Sequence, residues 1–179
     1  MHSRRRLVDI KFSFEEGHTL QAEGALGYQG EAQNEQNPWA GSLTLEARNI
    51  RGTGRNGALR FEQEALYTFL KLMYLEPWIA GQHLDLGGFL ETEIEKESFA
   101  RREIQLELAY HLSGQWTSSA TVGQQESTDE PSAIFSKTYS VGLGLEWNSM
   151  DNPSNPRNGF RFIGKIVGHR KRKAGRLYY

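Results

Sequence analysis

The chain has 179 residues, with 21 basic and 22 acidic side chains, a formal net charge of -1 and no cysteine. That length suits one ordinary domain. The balanced charge excludes an overall field for nucleic acid, and the lack of cysteine excludes disulfides, thiol catalysis and thiolate-bound metal. Mean hydropathy is -0.63, and no run approaches the roughly 20 apolar residues of a membrane helix. That exclusion does not touch a membrane β-barrel, where only alternate residues face lipid.

The amino terminus, Met1-His2-Ser3-Arg4-Arg5-Arg6, resembles the basic end of a signal peptide, but no apolar stretch follows it. Leu7–Glu16 already alternates, with Val8, Ile10, Phe12 and Phe14 on one face. Thr19–Gln29 is a second strand, with Leu20, Ala22, Gly24, Leu26 and Tyr28 on its apolar side. A polar loop, Gly30–Pro38, leads to Trp39–Asn49, the clearest strand so far. Asn49–Gly57 is a glycine-punctuated turn, and Ala58–Glu64 resumes the alternation. The run Ala65–Leu75 suits a buried strand or a helical segment equally; its neighbours favour a strand. Pro77 then forces extended backbone before it, which makes Glu76–Gly81 a turn.

Three more alternating strands follow over His83–Glu95, Arg102–Leu112 and Gln115–Gln125. Glu126–Ser136 reads as a long polar loop, and Thr138–Trp147 as a strand. Asp151–Phe162 (DNPSNPRNGFRF) packs prolines, asparagines and a glycine into a tight loop that turns abruptly into an apolar strand, Gly159–Gly168. The basic run Arg170-Lys171-Arg172-Lys173 breaks the alternation and reads as the start of a solvated tail.

The total is about ten strands, most near the 9–11 residues that cross a bilayer when tilted, against about 5–6 for an average soluble strand. Tyr28, Trp39, Trp78, Tyr110, Trp116, Tyr139 and Trp147 sit near strand ends, as in the aromatic girdles of outer-membrane barrels. Periodicity alone also admits a soluble or periplasmic barrel that packs its Leu/Trp face around a small apolar ligand.

Chemistry-bearing constellations are thin. The histidines (His2, His18, His83, His111, His169) are scattered, and no HExxH, GxSxG, P-loop or dinucleotide fingerprint occurs. Glu91, Glu93 and Glu95 share one strand face. A row of carboxylates on a watery surface explains them better than a metal or acid pair. Arg60, Lys71, Arg101 and Arg102 are their candidate partners. The expectation is a protein without catalytic residues, cofactor or metal.

Four short motifs add a resemblance. Gly24-Ala25-Leu26-Gly27-Tyr28 resembles a glycine-aromatic first barrel strand, and Asn49-Ile50-Arg51-Gly52-Thr53-Gly54 an Asn-x-x-Gly-Thr-Gly turn. Glu76-Pro77-Trp78-Ile79 is similar to a Pro-aromatic turn two strands later. Asp151 with Pro156-x-x-Gly159-Phe160-Arg161 is similar to an Asp…Pro-x-x-Gly-aromatic-Arg loop. In this order they resemble the bacterial surface-antigen barrel of the BamA/TamA type, an outer-membrane assembly factor. Gly52, Thr53, Gly54, Pro77, Trp78, Asp151, Pro156, Gly159, Phe160 and Arg161 are thereby marked as structural-motif residues.

The resemblance implies an all-β fold: an antiparallel meander of long strands forming a partial transmembrane β-barrel, about half of a barrel of about sixteen strands. Residues 1–17 would be the end of a terminal POTRA-like domain, 18–169 the partial outer-membrane barrel and 170–179 a basic tail. It implies an outer-membrane location, although the chain as given shows no signal peptide. Its partners would be outer-membrane lipid, unfolded outer-membrane protein clients and the missing half of the barrel, with no nucleic acid. Thr19–Gln29 would be the edge that templates client strands by β-augmentation. The sequence departs from the family's pattern in lacking the later Val/Ile-Arg-Gly-Phe/Tyr motif, so the expectation is a fragment or split product.

Overall fold

The computed structural model describes residues 19–28, 38–129, 134–152 and 155–175. The strand expected over Leu7–Glu16, and with it the POTRA-like segment, lies outside them. Nine strands follow one another: β1 (Leu20–Tyr28), β2 (Trp39–Ile50), β3 (Arg55–Gln63), β4 (Tyr67–Glu76), β5 (Leu84–Glu95), β6 (Phe99–His111), β7 (Trp116–Asp129), β8 (Ile134–Asn148) and β9 (Arg161–Gly175). Each pairs antiparallel with the next, in a single open sheet ordered β1 to β9. The ambiguous run is a strand, β4. Its Phe61↔Leu70 and Leu72↔Leu90 pairings show what a helix would have given up.

Strict period-two alternation gives each face of the sheet one chemistry. Register carries the apolar face from strand to strand. Leu45 pairs with Leu59, Leu59 with Leu72, Leu72 with Leu90 and Leu90 with Ile104. Leu106 then pairs with Val122, and Val122 with Val141. Among the described residues no apolar side chain is buried, and this face is exposed or half-buried along its length, with Leu26 at 76 %, Leu106 at 49 % and Ile166 at 82 %. A water-soluble sandwich or ligand barrel would bury these side chains in a core. The sheet has none, and the soluble alternative loses its main support.

Two regions differ most from the sequence reading. The long loop expected over Glu126–Ser136 is shorter, because β7 runs to Asp129 and β8 begins at Ile134. The basic run Arg170–Lys173 belongs to β9, which stays paired with β8 as far as Ile134↔Gly175. Backbone pairing does not require an apolar side chain on either face, so the strands continue past the point where the hydrophobic pattern stops. Strand length grows accordingly, from 9 residues in β1 to 15 in β8 and β9. The longer strands exceed the 9–11 residues that a bilayer needs.

Candidate functional site

Three features of the sheet could carry function: its turns, its polar face and its first edge. The β2–β3 turn is tied by side chains. Asn49 Oδ1 accepts the Gly54 backbone N–H at 2.7 Å, Asn56 Oδ1 accepts the Asn49 N–H at 3.0 Å, and the Thr53 hydroxyl donates to the Ile50 carbonyl at 2.6 Å. Gly52 and Gly54 take φ of 71° and 77°, the left-handed region that glycine enters freely. A Cβ on Gly54 would stand 3.1 Å from Pro77 Cγ. The two motif turns therefore lie side by side, and Pro77 packs where Gly54 leaves room.

Trp78 opens the β4–β5 turn at φ 54°, with its N–H donating to Asp85 Oδ1 at 3.0 Å. Its ring meets His83 edge-on at 4.8 Å and stacks over His111 at 6.4 Å. His111 in turn lies 2.9 Å from Asp85 Oδ2 and 3.1 Å from the Thr117 hydroxyl. Sequence reasoning found Trp78 but missed this cluster. His111 is 26 positions from Asp85, and only the β5–β6 register brings them together.

The β8–β9 loop is built around Asp151. Its Oδ1 accepts the backbone N–H groups of Arg157 (3.0 Å) and Asn158 (3.3 Å). These bonds, the Arg157 one foremost, hold the carboxyl below its ordinary value of 3.8. Gly159 sits at φ 96°, where an added Cβ would collide with the Ser149 carbonyl oxygen. Phe160 packs edge-on against Trp147 at 4.3 Å, and Trp147 stacks on Trp116 at 6.0 Å. Arg161 starts β9 and donates to both Glu146 oxygens, at 2.7 and 2.9 Å. The ten motif residues thus fall in three turns. Two of those turns touch through Gly54 and Pro77, and the third closes the hairpin four strands further on.

The polar face carries a charge network. Glu91, 14 % exposed at its side chain, receives Lys71 at 2.8 Å and Arg101 at 3.2 Å, and Arg101 also reaches Glu103 at 3.4 Å. Glu93 accepts the Tyr67 hydroxyl at 3.4 Å. Glu91 is therefore committed to structural cations rather than poised for acid–base work. Two expected pairings are corrected. Arg60 turns to Glu62 on its own strand, with Nε donating at 2.8 Å. Arg102 lies on the opposite face, because an odd shift along a strand reverses the side chain. Lys165 reaches Glu107 at 3.2 Å across β7 and β8, passing Gly142 and Gly144, which have no side chain to obstruct it.

Among the described residues the first edge is open: β1 pairs with β2 alone, in an unbroken register from Leu20↔Ala47 to Tyr28↔Trp39. The Arg48 N–H donates to the Thr19 carbonyl at 2.6 Å. Since hydrogen-bonded pairs alternate along an antiparallel ladder, the odd-numbered residues of β1 direct their backbone groups to β2. Ala22, Gly24 and Leu26 direct theirs outward.

A long-stranded antiparallel meander, apolar and exposed on one face and charged on the other, defines a membrane-barrel sheet. The sequence profile of the Omp85 superfamily domain matches residues 49–166. The chain belongs to the Omp85 superfamily, and that membership agrees with a non-enzymatic protein. No curated protein matches it in sequence. Among solved structures it is similar to BamA from Haemophilus ducreyi lacking POTRA domains 1–3, with a TM-score of 0.51 and 14 % identity. The match covers 84 % of this chain and 34 % of that one. The chain therefore spans about a third of that protein's length, and the likeness is one of fold.

Proposed function

We propose that the chain is part of an outer-membrane protein assembly or insertion factor of the BamA/TamA type, seated in the outer membrane with its apolar face against lipid. It would act by strand templating, without side-chain catalysis. The observation that carries this reading is the open edge of β1 on a sheet of superfamily fold. Every β1 residue is exposed, and its outward backbone groups are unmatched among the described residues. A client strand can add there by the pairing that joins β1 to β2. Specificity would come from register and from the alternating apolar pattern, not from a pocket.

The test uses the lack of native cysteine. Single cysteines replace Ala22 or Leu26 in β1, and Val122 in the interior strand β7. The chain, folded in micelles, is then offered an unfolded outer-membrane protein with one cysteine in its last strand. Disulfides at the β1 positions and none at Val122 are expected. Equal capture at Val122, or none at β1, overturns the templating reading.

A further inference from the structure

We propose that the outer face of β6–β9 carries a docking site for the phosphate-bearing headgroup of a membrane lipid. The inference rests on the lipid-facing reading of the apolar face and adds a specific contact at its rim. Register places Arg102, Glu126, Lys137 and Arg172 in one row across four strands, through the pairs Arg102↔Glu126, Glu126↔Lys137 and Lys137↔Arg172. The neighbouring row toward the apolar band holds Gln124, Tyr139 and Arg170; the row after that is Leu106, Val122, Val141 and Gly168. All of these share the parity of the apolar face. The charges therefore continue the lipid-facing surface and do not belong to the polar interior.

Four cations stand here against one carboxylate. Glu126 is already taken by Lys137, whose Nζ lies 2.7 Å away and also sits 5.6 Å over the Tyr139 ring. Arg102 faces Glu126 across the β6–β7 pair and interacts with it electrostatically, while Arg170 and Arg172 are exposed and make no hydrogen bond or ion pair among the described residues. Three exposed arginines thus stand immediately beyond an apolar band. Strand spacing spreads the row over roughly 14 Å, enough for one phosphorylated headgroup between Arg102 and Arg172. Arginine suits phosphate because its planar fork donates two parallel hydrogen bonds.

Geometry favours a lipid over a soluble anion. Any molecule whose acyl chains lie along Leu106, Val122 and Val141 brings its headgroup to this row. Tyr139 marks the boundary, as aromatic residues do at membrane interfaces. A protein partner would need apolar anchors among the charges, and the row offers none.

The test uses the chain folded in zwitterionic micelles and titrated with phosphatidate, with diacylglycerol of the same acyl chains as the neutral comparison and native mass spectrometry as the readout. The outer-face triple variant R102Q/R170Q/R172Q should bind phosphatidate more weakly by on the order of a hundredfold. The inner-face triple K165Q/K171Q/K173Q, with the same change in charge, should bind as the parent does. Diacylglycerol should not bind specifically to any of them. Equal loss in both triples would reduce the effect to net charge and overturn the proposal. Displacement of phosphatidate by inorganic phosphate at equal concentration would overturn it too, by making the row a soluble-anion site. Arg172→Gln alone provides a milder variant should the triple fold poorly. Strand content read by circular dichroism, in micelles and in plain buffer, reports the lipid-facing reading separately. Folding in plain buffer would remove that reading, whereas failed lipid binding by a micelle-dependent sheet would remove only the docking site.

Discussion

Two residues of the β8–β9 loop show how much a single position can decide. Gly159 holds φ 96° with its missing Cβ aimed at the Ser149 carbonyl oxygen. Any L side chain there meets both backbone strain and a collision. Gly159→Ala should cost on the order of 1–3 kcal/mol, read as a lowered unfolding midpoint in micelles, with the largest chemical-shift changes from Ser149 to Phe160. An unchanged midpoint would mean that the loop relaxes without penalty. Asp151 acts through charge. Its folded carboxyl lies below the ordinary value because it accepts the Arg157 and Asn158 N–H groups. A depressed value means that the stabilising contribution is complete above about pH 4 and is lost as pH falls through the lower folded value. Amide hydrogen exchange at Arg157 and Asn158 should therefore speed up, relative to the amides of β9, only below that range. Asp151→Asn, which keeps an acceptor but no charge, should remove the pH response. A response that persists in the variant would assign it to another group.

At the scale of elements, β1 and β9 behave differently from the strands between them. Odd and even positions of β1 serve different edges, and proline can tell them apart because it removes one N–H. Glu23→Pro should break a bond to β2 and loosen the first hairpin, visible as faster exchange at Thr44. Ala22→Pro should leave that pairing in place and abolish client capture at the open edge. If both variants lose capture and hairpin protection together, the edge has no separate role. Most of this architecture was legible in the sequence, because alternation in a one-face-apolar sheet fixes both the strand and its facing. β4 was legible only through its neighbours, since an unbroken apolar run carries no period. The upper part of β9 was not legible. His169–Lys173 is charged on both faces, and an apolar-periodicity argument stops where the side chains stop alternating, although backbone pairing with Ser136–Ser140 continues. The Asp85–His111 and Glu107–Lys165 contacts were equally hidden, because register and the small residues between partners decide them, not local spacing. The three turns were visible as Gly, Pro and Asn clusters, but the packing of Pro77 against Gly54 was not.

For the molecule as a whole, the governing fact is a sheet with an exposed apolar face and, among the described residues, two unpaired edges. Water penalises the first and lipid penalises the second. In hydrocarbon each unmatched backbone group costs several kcal/mol, so a spanning sheet must close or find partners along both edges. Within the described residues β1 and β9 do not pair with each other, so both edges call for a partner strand in lipid. The environment of the apolar face can be tested by depth. Leu106 lies mid-band on the sheet's outer face, between Gly88 and Val122 in register, while Tyr110 lies on the same strand face near its turn end. If lipid covers this face, Leu106→Arg should destabilise the sheet in bilayers by about 2–4 kcal/mol and Tyr110→Arg by about 0–1 kcal/mol, with both variants still folding. Such a gradient follows from the cost of taking a guanidinium toward the midplane, which falls off where the side chain can reach water. A packed aqueous interior would behave otherwise, since neither arginine would be accommodated and both variants would fail to fold. Equilibrium unfolding of the two variants in lipid vesicles therefore separates a membrane wall from a hidden core. Equal costs at both depths would remove the bilayer from the account of this sheet.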